Sequence, residues 1–171
     1  MCIRVTLIFE DKYDEVGINT IAKMYGRIYK AVNNPVIVSQ LSKNDMWFEA
    51  AHTGCECNTG IGSYELFTRN VENLIKEVND KSIVEEIRSE EVKRKAIYKN
   101  DVDDWEVFIK DLIRKYGFNR VGLLVHFVDN DLTMTGFTIL DKQVFKYSNI
   151  NSELLMKIEN DIIYYFVDDD N

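Results

Sequence analysis

Residues 2–10 alternate, with Ile3, Val5, Leu7 and Phe9 on one side and Cys2, Arg4, Thr6 and Ile8 on the other, the period-two signature of a strand. After Asp14 the period changes. Ile18, Ile21, Ala22, Tyr25, Ile28, Tyr29 and Val32 recur every three or four residues, which predicts a helix running to the stop at Asn33-Asn34-Pro35. Residues 36–41 and 46–51 predict two short strands joined by the turn-forming run Ser42-Lys43-Asn44-Asp45. Helical spacing returns at Phe67, Val71, Leu74, Ile75 and Val78 behind Ser63 as N-cap. Ser82 and Glu85 form a capping-box pattern that opens a charged, partly exposed helix to Lys99. A further helix is expected from Asp101 or Asp103, with Trp105, Phe108, Ile109, Leu112, Ile113 and Tyr116 on one face and Gly117 at its stop. Residues 121–128, 132–140 and 143–147 predict three strands whose short loops suit an antiparallel meander. Asn151 caps a last helix carrying Leu155, Ile158, Ile162 and Tyr165.

Most strands in this order are hairpin-linked and the helices come as a block, so the expected class is α+β: a mostly antiparallel sheet of about six strands with four or five helices packed against it. Nothing in the chain reads as a linker or a repeat, and residues 1–171 are expected to form a single globular domain.

Composition narrows the functional classes. With 46% apolar residues the chain is a globular one, not a disordered one. Its 21 basic and 29 acidic residues give a net charge of −8, which argues against a nucleic-acid surface and for a basic protein as partner. No signal-like or membrane-spanning apolar run is visible, so the expectation is a cytoplasmic protein without a membrane contact, with its three cysteines reduced. Asn58-Thr59-Gly60-Ile61-Gly62 lacks the third glycine and the lysine of phosphate loops and reads as a turn into the Ser63 helix. The carboxylates Asp101, Asp103 and Asp104 read as helix-start charge, and Asp168, Asp169 and Asp170 as a solvated tail.

One cluster carries chemistry. His52-Thr53-Gly54-Cys55-Glu56-Cys57 puts two thiols and an imidazole within six residues at the end of a predicted strand, donors that suit zinc. A tetrahedral structural site needs a fourth. If the first strand runs beside the strand ending near Ala51, Cys2 supplies it, giving a Cys2, His52, Cys55, Cys57 ligand set. The competing reading makes the two later cysteines small apolar fillers. His126, within Leu124-Val125-His126-Phe127-Val128, reads as a packed, hydrogen-bonded core histidine outside the ligand set.

A third reading starts from the chain's opening. Met1-Cys2-Ile3 resembles the start of amidohydrolases with an N-terminal cysteine nucleophile, which implies Cys2 as nucleophile once Met1 is removed, with His52 or His126 assisting. That family's four-layer sandwich needs two long sheets, more than six short strands supply. Glu56 also disfavours a thiolate beside it. A chain that opens Met-Cys and carries His-x-Gly-Cys-x-Cys some fifty residues later further resembles a group of small uncharacterised bacterial proteins, in which glycine usually stands where this chain has Asn58. That resemblance implies that Cys2, His52, Cys55 and Cys57 act together. The leading expectation is therefore a zinc-binding interaction module of inhibitor or immunity type. A cysteine-dependent enzyme, hydrolytic or redox, is the alternative.

Overall fold

The computed structural model describes residues 2–10, 12–50, 59–128 and 136–170. The alternating N-terminal segment is the strand β1 (Cys2–Glu10), followed by α1 (Glu15–Ala22), β2 (Tyr29–Val32), α2 (Pro35–Val38) and β3 (Asp45–Ala50). Two long helices come next, α3 (Tyr64–Glu77) and α4 (Lys81–Arg114), and then β4 (Arg120–Val128), β5 (Asp141–Lys146), α5 (Ser152–Met156) and β6 (Ile162–Val167). The strands form one six-stranded sheet in the order β2-β3-β1-β4-β6-β5. All pairings are antiparallel except β5 with β6. The class is α+β, as the element order implies.

The elements depart from the sequence pattern in five places. The helix expected over 14–32 stops at Ala22 and a short 3₁₀ turn, because Gly26 adopts the left-handed conformation (φ 67°) that ends helices. Tyr29–Val32 then joins the sheet, and α1 covers its free edge: the Asn19 carboxamide bonds both the N–H and the C=O of Tyr29, and Glu15 accepts from the N–H of Ala31. Residues 36–41 are no strand. Asn34 accepts from the N–H of Val36 and Pro35 stands at the first helical position, so this Asn-Pro pair opens α2.

The two helices expected over 82–99 and 101–116 are one helix of 34 residues, about 51 Å long at 1.5 Å per residue. No glycine or proline interrupts Lys81–Arg114, so nothing breaks the backbone ladder at Asp101. The last expected helix ends at Met156, and the run Ile162-Ile163-Tyr164-Tyr165-Phe166-Val167 is an inner strand buried on both sides. A continuous apolar run with aromatic and β-branched residues is what such a strand requires. It separates β4 from β5, so there is no meander. Residues 136–140 run beside the sheet without joining it, held by Gln40, whose side chain donates to the C=O of Phe137 and accepts from the N–H of Ile139.

The larger core lies between one sheet face and the helices, where Trp105, Phe108, Ile109 and Leu112 of α4 meet Val5, Leu7, Val121 and Leu123. The opposite face is smaller. Ile8, Trp47, Leu124, Ile163 and Tyr165 are covered there by Ile37 and Leu41 and by Phe137 and Ile139. Among the described residues no helix is long and apolar enough to cross a membrane.

Candidate functional site

β1 pairs with β3 from Thr6 opposite Glu49 to Glu10 opposite Asp45, so β1 begins at the end of the sheet where β3 finishes. β1 and β3 are therefore neighbours in the sheet. Cys2 stands opposite Val128 on β4, one rung beyond the pair Arg4 and His126. His52, Cys55 and Cys57 lie outside the described residues, as does the side chain of Cys2. Among the described residues no group of three His, Cys, Asp or Glu side chains is arranged to hold a metal.

Both flanks of the 51–58 segment are firmly held. On one side Ala50 pairs with Tyr29. On the other, the Thr59 hydroxyl and the Gly60 N–H both donate to the Asp101 carboxylate at 2.7 Å. Gly60 is needed there because a Cβ would sit 2.2 Å from the backbone oxygen of Tyr98 on α4. Arg27, two residues before Tyr29, stacks on the Trp105 ring at 3.7 Å and approaches Asp101 to 3.9 Å. The two flanks are thus neighbours in space. Asp101 is not helix-start charge but the anchor of this turn, and the Gly60 N–H already serves an internal carboxylate.

His126 is fully buried. The Trp47 and Phe137 rings meet it edge to face, with centroids 5.6 Å and 4.3 Å away. Burial first, and the Arg4 guanidinium second, lower its pKa to about 3, so the imidazole is neutral across the physiological range. It is packed as the sequence suggests. The expected hydrogen bond is missing: among the described residues neither ring nitrogen has a partner. Trp47 Nε1, Trp105 Nε1, Arg27 Nε and Ser63 Oγ are likewise buried and unpartnered. The far end of the sheet differs. There buried Asp45 accepts from Arg120 and, at 2.8 Å, from the Tyr165 hydroxyl. The burial of His126 opposite Arg4 depends on strand register, which sequence alone does not show.

An open groove of about 1020 Å³ lies between α3, Phe127 and residues 158–160, with Thr68, Arg69, Glu72, Glu159 and Asn160 among its polar lining. No family model, curated protein or solved structure matches the chain.

Proposed function

We propose that this chain is a zinc-binding interaction protein in which Cys2, His52, Cys55 and Cys57 hold a structural metal. The antiparallel register of β1 against β3 carries this reading, because it brings position 2 to the end of the sheet where the chain leaves for residues 52–57. A metal at this point would tie the N-terminal strand to the segment that follows β3. Its binding energy would add directly to folding energy.

The partner in this proposal is a basic protein drawn by the net charge of −8. The enzymatic alternative gains less. An imidazole held neutral down to a pKa of about 3 carries no proton to give at pH 7, which argues against His126 as the group that protonates the leaving group. Protein purified without chelator is expected to carry about one equivalent of zinc by elemental analysis, and Cys55→Ser or Cys57→Ser is expected to release it. A metal-free wild-type protein contradicts the proposal.

A further inference from the structure

The open groove of about 1020 Å³ follows α3 from Tyr64 to Glu72. The rise over that stretch is about 12 Å at 1.5 Å per residue, which spans about four residues of extended chain. An open groove of that volume suits a length of polypeptide better than a small molecule, whose sites usually enclose it within about 300–1,000 Å³.

Both walls are fixed to one residue of β4. A Cβ on Gly62 would lie 2.6 Å from the Val125 side chain, so the chain enters α3 in close contact with that strand. On the other wall the Val125 carbonyl accepts from the Asp161 N–H at 2.8 Å, and the Tyr164 hydroxyl accepts from the Glu159 N–H at 3.1 Å. Asp161 holds a left-handed backbone (φ 62°), and its carbonyl accepts from the Leu140 N–H. Walls held in this way need little ordering when a ligand arrives.

The chemistry of the lining sets the occupant. Phe127 and Ile158 give the groove apolar surface. Glu72 stands on α3 and Glu159 on the opposite wall; both are exposed, and neither carboxylate has an ion-pair or hydrogen-bond partner among the described residues. Glu90 and Glu91 on α4, by contrast, are paired with Lys93 and Lys95. Arg69 is the one cation of the described lining, so two carboxylates against one guanidinium leave the groove at −1. That guanidinium can donate to the backbone carbonyls of an extended chain.

Resting on the basic-partner half of the reading above and not on the zinc, we propose that this groove docks an extended segment of that partner carrying lysine or arginine beside apolar residues. Its basic side chains pair with Glu72 and Glu159, its apolar ones lie on Phe127 and Ile158, and Arg69 donates to its carbonyls.

The test is amide NMR on the full chain, titrated to millimolar concentration with a blocked hexapeptide of two lysine-lysine-leucine repeats and with its counterpart carrying glutamate for lysine. Saturable shifts at Thr68, Glu72, Phe127 and Asn160 with the lysine peptide, and none there with the glutamate peptide, are the expected result. Glu72→Gln combined with Glu159→Gln, both at exposed positions, is expected to weaken binding about fivefold, the combined effect of two exposed ion pairs. Lysine-peptide shifts confined to another surface overturn the groove assignment and leave the basic-partner reading intact. Glutamate-peptide shifts in the groove as large as those of the lysine peptide, or an affinity unchanged in the double variant, overturn the role of the two carboxylates and the proposal with it. A lysine peptide that shifts no amide overturns both the proposal and the basic-partner reading.

Discussion

Leu112 sits where α4 meets the sheet, in the core with Phe108 and Ile109, and is 1% exposed. Leu112→Ala is expected to cost about 2–5 kcal/mol in denaturant unfolding, the range for emptying a well-packed leucine site. A cost under about 0.5 kcal/mol would mean that the residue is not in the core. Two phenols make a pH prediction at the same scale. Burial foremost, with the Asp111 carboxylate beside Tyr25 and Asp45 beside Tyr165, pushes both above the usual tyrosine value. The unfolded chain ionises these groups near pH 10 and the folded chain does not. Their contribution is therefore complete below pH 10 and is lost as pH rises above it. Tyrosinate absorbance should show these two tyrosines ionising only as the protein unfolds; a single titration of all nine near pH 10 would contradict this.

Elements ended or turned where a single residue dictated it, and this sets what the sequence could reveal. β1, α3 and the Trp105–Leu112 face of α4 were legible because alternation and helical spacing record burial on one face. Two strands were hidden. Tyr29–Val32 continues a helical spacing that only Gly26 interrupts, and Ile162–Val167 is apolar on both faces and so carries no period at all. The Cys/His cluster was legible as a motif, whereas the pairing of Arg4 with His126 was not, because it is a matter of register. Two glycines test this scale. Gly26→Ala adds a Cβ that touches nothing, so it should cost about 1–2 kcal/mol for the left-handed backbone alone. Gly60→Ala drives a Cβ against the Tyr98 carbonyl oxygen and should cost about 3 kcal/mol or more. Equal costs in thermal melts would contradict the close packing of the 59–62 turn on α4.

At the scale of the whole molecule, charge is unevenly spread. Residues 64–100, which hold α3 and the first half of α4, carry eight acidic and eight basic side chains, so the net −8 belongs to the rest of the chain. A basic partner is accordingly expected on the sheet-bearing body, with association that slows as salt rises, and duplex DNA binding is expected to be undetectable at physiological salt. Salt-sensitive, tight DNA binding in a gel-shift assay would contradict the charge argument. The zinc proposal has its own signature at this scale, because a metal bound only by the folded chain raises stability by mass action. Free zinc about a thousandfold above its dissociation constant adds about 4 kcal/mol. For a chain of this size that is on the order of 10 °C in melting temperature. The most direct measurement is the melting temperature of the full chain, purified without chelator, before and after metal removal and again after zinc is restored. A fall on the order of 10 °C that zinc reverses is the predicted result; a melting temperature indifferent to chelator and zinc would contradict the account.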